Sequence, residues 1–546
     1  MNTTEDYFQD LSKRFFDWHW ADNPVEATAI GFHNYDHRLP DFSPQSITAR
    51  DQAIQRFLSE LKALPLQELP LETRVDYSLL LSLLQKLERE ESMLKNYQRN
   101  PGHYLSMAFG GIYLLVIRNF APLDERMKLI RGRLLEIPRL LDQCRNNLKQ
   151  PPHVFVETEL LSLPGIIGFF SYLLPDLAEK TPALKDEIAE ACRQTVDALN
   201  RFGQFLEGLL DEPGDNFAIG QELFNRMLSE EHFLDYNCET LLTKGLELVA
   251  ETKEEMEKLT SEIDPSATWE EIIAEAKKVH PSEEDLLDSY RRENEKVKAF
   301  VEEKDLVDLP EGELIIEETP EPFRPIIPYA AYLPPAPLDK DKTGRFYVTP
   351  VDVNKTASEK EAQLGEHSLY SIPITVLHEG YPGHHLQLCY AGQAPTMLKK
   401  QAENTLFIEG WAFYCEQLME QQGYLKDPRT RMKRLKDQLW RACRIVVDVS
   451  LHTGKMTFDE AVDYMVKTAL LERNSALTEV RRYAATPTQP MSYLMGKLEI
   501  VSIYEDYRAI KGERFNLKDF HHTLLSFGSL PPALIRKLYF NTGDQA

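Results

Sequence analysis

The helical spacing of apolar residues constrains this chain more than any other feature of its sequence. Near the N-terminus, Phe8, Leu11, Phe15 and Trp18 recur at three- and four-residue intervals, which is the spacing of one buried helix face. Similar patterns run through residues 50–96, 124–147, 186–211 and 219–262, and a further helix-like segment extends from Glu283 to about Lys304. The chain is therefore predicted to be mainly α-helical.

The pattern changes between residues 310 and 352. Prolines recur from Pro310 to Pro337 and exclude a regular helix there. Glu313–Glu317, inside this stretch, and Arg345–Val348, after it, have the composition of short strands. Helical patterns return after residue 365, where Thr457 and Glu460 form a capping box that is predicted to open one helix.

The length of 546 residues is too great for a single hydrophobic core. We predict an N-terminal helical region over 1–250 and a strongly acidic helical bridging segment over 251–320. The C-terminal region over 321–546 is predicted to hold the catalytic and metal-binding residues. The sequence leaves the oligomeric state open.

Charge and cysteine content limit the partners of the chain. It has 62 basic and 87 acidic residues, a net charge of −25, which argues against nucleic acid and against an anionic membrane as partners. Six scattered cysteines without a C-x-x-C pair are typical of reduced, buried thiols.

The N-terminus lacks an apolar signal core, and the longest apolar runs, Met107–Ile117 and Ile166–Leu174, are shorter than the roughly 20 residues of a membrane helix. These features together predict a cytoplasmic protein.

Three of the 14 histidines lie in one eight-residue stretch, His378-Glu-Gly-Tyr-Pro-Gly-His384-His385. In the helical zinc motif His-Glu-x-x-His, the two imidazoles are only about 40° apart around the helix, and the glutamate holds the reacting water. Here the fourth position after His378 is Pro382, and His384 would lie about 240° away on a regular helix.

A break at Pro382 and Gly383 resolves this spacing. Proline interrupts the helical hydrogen bonds and glycine tolerates unusual backbone angles, so two looped-out residues would return His384 to the ion. His385 would lie about 10 Å along the axis from His378. We predict His378 and His384 as ligands, with His385 as the alternative ligand or as a donor that supports a ligand.

The third ligand is predicted to be Glu409, because its carboxylate lies in an apolar stretch where an unpaired charge is costly. Two histidines and one glutamate leave a fourth position open, as in catalytic zinc sites. Glu416, two turns later, is either a competing ligand or the group that holds a histidine ring. The ordinary alternative for Glu409 is an ion pair with Arg441 or Arg444. Zinc suits this donor set, and cobalt or manganese would also fit it.

Around these residues the chain resembles the bacterial domain-of-unknown-function 885 family, whose signature His-Glu-Gly-x-Pro-Gly-His-His-Leu-Gln is present from His378 to Gln387. Further similarity lies at Glu26–Gly31, Tyr329–Thr349, Glu409–Ala412, Leu439–Asp448 and Arg482–Gly496. The family looks like a variant of the gluzincin metallopeptidases, whose Gly-His-x-Leu matches Gly383 to Leu386 and supports His384 as the second ligand.

The resemblance implies a large multi-helix fold whose helices wall a channel, with a small β-sheet at its rim. Arg345–Val348 would be an edge strand that pairs with an extended peptide. The implied function is a zinc-dependent peptide hydrolase with one divalent ion, a carboxypeptidase or oligopeptidase that acts on short peptides.

In this interpretation Glu379 is the general base. Tyr493 or Tyr483 would stabilise the oxyanion. The predicted substrate-binding residues are Arg482, Gln489, Lys497 and His385, and a basic side chain among them would bind a C-terminal carboxylate. Two alternatives are a zinc amidase or esterase on a small metabolite, and a non-catalytic helical scaffold that retains a metal. The presence of Glu379 argues against the scaffold.

Overall fold

The chain forms two compact units, which comprise residues 1–217, 321–326 and 336–341 in the first unit and residues 218–320, 327–335 and 342–546 in the second. This division comes from a computed structural model that describes residues 3–320, 324, 327 and 329–541. The mainly α-helical prediction is confirmed, and the enclosing channel stays a prediction.

Helices account for the regular structure of the first unit. They are α1 (Thr4–Asp22), α2 (Pro24–Ile30), α3 (Pro44–Lys62), α4 (Leu71–Glu88), α5 (Asn96–Arg99), α6 (Pro101–Ile117), α7 (Leu123–Asn147), α8 (His153–Gly168), α9 (Leu174–Ala178) and α10 (Lys185–Leu209). Short 3₁₀ turns occur at His33–Tyr35 and Leu66–Glu68, and π-helical segments at Arg89–Leu94 and Phe169–Leu173.

The first helix shows why the apolar spacing predicts these elements. Phe8, Leu11 and Phe15 are fully buried on one face of α1. Thr3 caps the helix through a capping box with Asp6. The periodic pattern and the cap therefore specify the same helix.

One helical stretch of the first unit, His153–Ala178, is long and apolar enough to cross a membrane, and 28% of its most apolar window is buried. This differs from the expectation drawn from uninterrupted apolar runs, because acidic residues such as Glu157 and Glu159 interrupt the runs without ending the helix. Buried helices of soluble proteins meet the same criterion of length and composition.

The second unit combines helices with a small sheet. Its helices are α11 (Gln221–Glu230), α12 (Cys238–Ile263), α13 (Trp269–Lys277), α14 (Leu286–Glu303), α15 (Ala357–Glu366), α16 (Ile372–Glu379), α17 (His384–Ala391), α18 (Met397–Lys400), α19 (Thr405–Gln421), α20 (Pro428–His452), α21 (Phe458–Ala469), α22 (Arg473–Ala485), α23 (Ser492–Lys511), α24 (Leu517–Ser526) and α25 (Pro532–Asn541). A 3₁₀ turn lies at Gly512–Arg514, and Thr457 caps α21 as predicted.

Three strands, β1 (Leu314–Glu318), β2 (Ala330–Leu333) and β3 (Gly344–Val348), form the sheet in the order β1-β3-β2. β3 pairs in parallel with β1 and antiparallel with β2. The prediction that Arg345–Val348 is an edge strand is therefore wrong, because β3 is the middle strand. β2 was not predicted, because the prolines around it disrupt the alternating pattern of a strand.

The second unit begins earlier in the chain than the predicted boundary at 250. The reason is that α12 packs along α20 and α14 packs on α16, so the acidic segment 251–320 belongs to this unit. Every residue from Ala442 to His452 in α20 is buried. All six cysteines are buried and free, as expected.

Candidate metal centre

A break between two helices brings the histidines of the motif together. Helix α16 ends at Glu379, directly after His378, and α17 begins at His384. Between them the chain passes through a cis peptide bond at Tyr381–Pro382. The predicted interruption at Pro382 and Gly383 is therefore present.

Gly383 is required where the chain folds back onto the end of α16. Its backbone N–H donates to the carbonyl oxygen of Leu377 at 3.0 Å. A Cβ atom at this position would lie 1.9 Å from the carbonyl oxygen of His378, far inside van der Waals contact. Trp411 closes the turn from the other side, because its Nε1 donates to the Pro382 carbonyl at 2.8 Å.

Three donor atoms of His378, His384 and Glu409 converge within 4.8 Å of one another. Nε2 of His384 lies 3.4 Å from Oε2 of Glu409, and Nε2 of His378 lies 3.9 Å from the same oxygen. The two imidazole rings stand at 89° to each other with centroids 4.8 Å apart. Among the residues that the structure describes, this is the group suited to hold a metal ion.

Glu416 fixes the orientation of the first histidine. Its Oε1 lies 2.8 Å from Nδ1 of His378. Because a carboxylate only accepts, Nδ1 donates this hydrogen bond, and Nε2 is the nitrogen that faces the centre. Of the two roles predicted for Glu416, the structure supports that of a partner which holds the ring, as is usual behind metal-binding histidines.

The pKa values of Glu409 and His384 shift because the two side chains are buried next to each other. Burial alone would raise the pKa of Glu409, but His384, His378 and the Tyr493 hydroxyl lower it to about 2. Burial would likewise lower the pKa of His384, and the adjacent Glu409 raises it above its ordinary value. Glu409 is thus an ionised carboxylate, and its Oε2 faces Nε2 of both histidines.

The donor set fits a zinc ion. Nitrogen and oxygen donors at about 2.0–2.2 Å from zinc in a tetrahedron lie roughly 3.4 Å apart. The observed 3.4 Å between His384 and Glu409 matches this spacing, and the 3.9 Å at His378 needs only a small side-chain movement. Two imidazoles and one carboxylate also match the protein ligands of a catalytic zinc site, which keeps a fourth position open.

Two glycines fix the position of Glu409 relative to Tyr493. Helices α19 and α23 touch backbone to backbone, so that a Cβ on Gly496 would lie 1.8 Å from the carbonyl oxygen of Leu406. A Cβ on Gly410 would lie 2.4 Å from the carbonyl carbon of Gly496. Glu409 directly precedes Gly410, and Tyr493 lies one helical turn before Gly496.

The three donors open onto a cavity of about 430 Å³. Glu379 lines this cavity together with the histidines and Glu409. Its other walls include Tyr332 from β2, Arg441 and Arg444 from α20, and Tyr493 from α23. Residues of β2 therefore lie beside the candidate centre.

His385 does not contribute to the donor set. Its Nε2 donates to the Gly312 carbonyl at 3.1 Å, and its Nδ1 accepts from the Tyr332 hydroxyl at 2.9 Å. Burial lowers the pKa of His385 to about 4, so the ring is neutral. Both nitrogens are occupied, which excludes His385 as the alternative ligand in this arrangement. Gly344 permits the approach, since a Cβ there would lie 2.5 Å from Nδ1.

The two predicted tyrosines differ in their surroundings. Tyr493 lines the cavity, and its hydroxyl is hydrogen-bonded to Glu409. The Tyr483 hydroxyl instead donates to Glu479 at 2.6 Å and accepts from Arg444 at 2.9 Å. Tyr483 is fully buried, so the structure places it outside the cavity as a residue of the packed core.

Arg482 and Gln489 support the site without lining the cavity. Arg482 donates to Gln489 at 2.5 Å and to Glu479 at 2.9 Å, and Gln489 donates to the Tyr493 hydroxyl at 3.4 Å. Asp448 holds the same loop, because its carboxylate accepts from two backbone N–H groups, of Thr488 and Met491. The loop geometry thus accounts for these predicted substrate-binding residues.

Lys497 is also absent from the cavity wall. Its Nζ donates to Gln438 at 2.8 Å and lies 5.0 Å above the ring of Phe413. Burial lowers its pKa to about 7. This lysine belongs to the packed contact between helices, and its predicted role in substrate binding finds no support.

Sequence reasoning missed Tyr332 and considered Arg441 and Arg444 only as ion-pair partners of Glu409. The two arginines are three residues apart, which places them on one face of α20, and this spacing was visible in the sequence. Tyr332 lies in the proline-rich segment, where no pattern pointed to the centre.

Comparison with known proteins places the chain in a family. Residues 24–538 match the family described as "Bacterial protein of unknown function (DUF885)". The chain belongs to this family. A search of curated proteins found no match.

Two solved structures are similar over their whole length. One is described as "a putative lipoprotein of unknown function from Shewanella oneidensis", with a TM-score of 0.81 and 28% identity over 98% of this chain and 99% of that chain. The other is described as "the putative lipoprotein from Colwellia psychrerythraea", with a TM-score of 0.85 and 18% identity over 100% of both chains. The second likeness concerns the fold alone.

These neighbours correct one prediction. Both are described as lipoproteins, which contradicts the expectation that this DUF885 protein is cytoplasmic. That expectation rested on an N-terminus without an apolar signal core and on apolar runs shorter than a membrane helix. Neither feature determines the compartment of a folded protein.

Proposed function

We propose that this DUF885 protein is a zinc-dependent hydrolase of short peptides. The observation that supports the proposal most is the convergence of His378, His384 and Glu409 within 4.8 Å, with Glu416 behind the first histidine. Glu379 adds a carboxylate to the wall of the same cavity. A purely structural site has no need of this additional acid.

His378, His384 and Glu409 would hold the zinc ion. A bound zinc ion supplies Lewis acidity, which polarises a carbonyl oxygen and lowers the pKa of a water molecule. In the proposed reaction, Glu379 accepts a proton from the attacking water and returns it to the leaving amine. The C–N bond of the peptide breaks as the water oxygen bonds to the carbonyl carbon.

Tyr493 is the better candidate of the two predicted tyrosines for stabilising the developing negative charge. Its hydroxyl lies beside Glu409 in the cavity wall, whereas the Tyr483 hydroxyl is occupied by Glu479 and Arg444. The resemblance to the gluzincin peptidases and the channel around the site belong to the same proposal.

The edge of the sheet offers a place for the substrate backbone. β2 lies beside the candidate centre, and among the described strands only β3 pairs with it, along one of its two edges. An extended peptide that pairs with the other edge would align its carbonyl groups with the cavity. In this interpretation β2, and not Arg345–Val348, is the edge strand that pairs with the peptide substrate.

The decisive variant is Glu379→Gln, which removes the base and keeps the size of the side chain. We expect zinc content, measured by mass spectrometry of the purified protein, to stay at one ion per chain. We expect hydrolysis of a set of short peptides to fall by about 100- to 10,000-fold, the usual contribution of general acid–base catalysis. Unchanged turnover in the variant, or no cleavage of any peptide by the zinc-loaded wild type, would contradict the proposal.

A further inference from the structure

Two arginines form one wall of the cavity that contains the candidate centre. Arg441 and Arg444 lie three residues apart on α20, and both line the cavity. Neither forms an ion pair with Glu409, the carboxylate that the sequence analysis offered as their partner. Their guanidinium groups are therefore part of the cavity surface for a different reason.

Arg444 carries a buried donor that the rest of the described structure leaves unused. Its Nε donates to the Tyr483 hydroxyl at 2.9 Å and one Nη2 hydrogen bond goes to Glu479 at 3.0 Å. Its Nη1 is buried and has no hydrogen-bond partner among the described residues, although only 6% of the side chain is exposed. A buried donor without an acceptor is costly, which indicates that a ligand supplies the acceptor.

Arg441 repeats this arrangement. Its Nη1 donates to the Asp437 carbonyl at 3.3 Å, and its Nε is buried without a partner in the described part of the chain. The guanidinium groups of Arg441 and Arg444 lie 5.9 Å and 4.6 Å from the centre of the Tyr493 ring. Since the Tyr493 hydroxyl bonds to Glu409, one tyrosine separates the arginines from a predicted metal ligand.

The carboxylates that pair with the two arginines are each shared with a second cation. Glu479 is shared by Arg444 and Arg482, at 3.0 Å and 2.9 Å. Asp437 is shared by Lys433 at 3.2 Å and Arg441 at 3.7 Å. Neither arginine therefore pairs with a carboxylate of its own: Glu479 also binds Arg482, and Asp437 also binds Lys433.

We propose that Arg441 and Arg444 bind the free C-terminal carboxylate of the peptide substrate. A guanidinium group matches a carboxylate in shape and charge, and the two unused donors would each gain an acceptor. This inference rests on the proposed peptide hydrolysis and adds that the enzyme acts at the C-terminal end of its substrates. It also replaces Arg482 and Lys497, which do not line the cavity, as the anion-binding residues.

The test is a binding measurement with a protein that does not turn over. Zinc-loaded Glu379→Gln protein is titrated by calorimetry with one short peptide as the free acid, as the C-terminal amide, and as an amide that ends in glutamate. We expect the free acid to bind about 10- to 100-fold more tightly than either amide, the range typical of a hydrogen bond to a charged group. Equal binding of acid and plain amide would overturn the inference, and binding of the glutamate amide as tight as that of the acid would assign the site to acidic side chains.

A variant and its matched control test whether the preference for the free acid depends on the arginines. Arg444→Lys keeps the charge next to Glu479 but removes the free Nη1 donor, and we expect it to reduce the preference for the acid to about 3-fold or less. Arg473→Lys is the matched control, because Arg473 pairs with Asp463 on the exposed surface and should leave the preference intact. If Arg444→Lys does not fold by circular dichroism, Arg441→Lys replaces it with the same expectation.

The outcomes separate this inference from the proposed function. If the wild type cleaves acid and amide peptides equally well and both bind equally, the carboxylate site is wrong while peptide hydrolysis stands. If no peptide is cleaved but the preference for the acid follows Arg444, the carboxylate site stands and the proposed hydrolysis fails. If zinc removal abolishes the preference and the arginine variants do not change it, the carboxylate binds the metal and the inference is overturned.

Discussion

The histidine–carboxylate cluster of the first unit and that of the second unit differ in how their donor atoms are satisfied. In the first unit, His33 contacts Asp36 at 2.7 Å through Nδ1 and Asp339 at 2.8 Å through Nε2. In the second unit, the Nε2 atoms of His378 and His384 lie 3.9 Å and 3.4 Å from the same oxygen of Glu409.

The difference shows what separates an ion pair from a candidate metal site. Burial would lower the pKa of His33, but Asp339 and Asp36 raise it to about 9, so the ring is charged at neutral pH and leaves no lone pair. In the second unit Nδ1 of His378 donates a hydrogen bond to Glu416, and Nε2 of His378 faces the other two donors. A histidine near carboxylates is therefore a metal ligand only where a lone pair faces the other donors.

The largest expected effect is the loss of zinc when one inner donor is removed. We expect His384→Ala to weaken zinc binding by more than about 100-fold, beyond the 10- to 100-fold that an outer partner contributes. His33→Ala should leave zinc affinity unchanged, because its cluster has no free lone pair. Competition with a zinc chelator measures both variants.

His385→Ala sharpens the same comparison within the motif. Both nitrogens of His385 are occupied by Gly312 and Tyr332, so zinc affinity should stay within a few-fold of the wild type. A loss of zinc in His385→Ala with retention in His384→Ala would reverse the assignment of the second ligand.

A smaller effect is expected at the outer partner of the centre. Glu416→Gln keeps a hydrogen-bond acceptor near Nδ1 of His378 but removes its charge. We expect zinc affinity to fall by about 10- to 100-fold, as is typical of such partners. No change in affinity would mean that Glu416 only fills space behind the ring.

The smallest effect concerns the pH dependence of the His33 cluster. The folded pKa of about 9 lies above the ordinary 6.5, so the stabilisation is complete below pH 6.5 and is lost as the pH rises through 9. The stability difference between wild type and His33→Gln should therefore shrink by about 1–3 kcal/mol between pH 6 and pH 10. Denaturant unfolding of zinc-free protein across this range measures it, and a constant difference would show that His33 is not charged in the folded protein.

Local patterns in the sequence were sufficient to predict most of the helices and to group His378, His384 and Glu409, which the structure brings within 4.8 Å of one another. The apolar spacing predicted α1, and the Pro382–Gly383 break predicted the turn that joins α16 to α17. Glu409 was identifiable because a carboxylate in an apolar helix needs a partner. Each of these signals lies within one segment of the chain.

The rest depended on contacts between distant segments. The Gly344 approach that brings Tyr332 to His385 joins residues more than 40 positions apart, and no local pattern reports it. Tyr483 and Tyr493 looked equivalent in sequence, and only the position of Glu479 relative to the first distinguishes them. The middle position of β3 likewise depends on β2, which prolines conceal.

The central claim is that one divalent ion binds between His378, His384 and Glu409. Anomalous diffraction at the zinc absorption edge from crystals of the zinc-loaded protein tests it most directly. We expect one strong peak within about 2.0–2.2 Å of Nε2 of both histidines and of a Glu409 carboxylate oxygen. A peak elsewhere in the molecule, or no peak at these side chains at saturating zinc, would contradict the account.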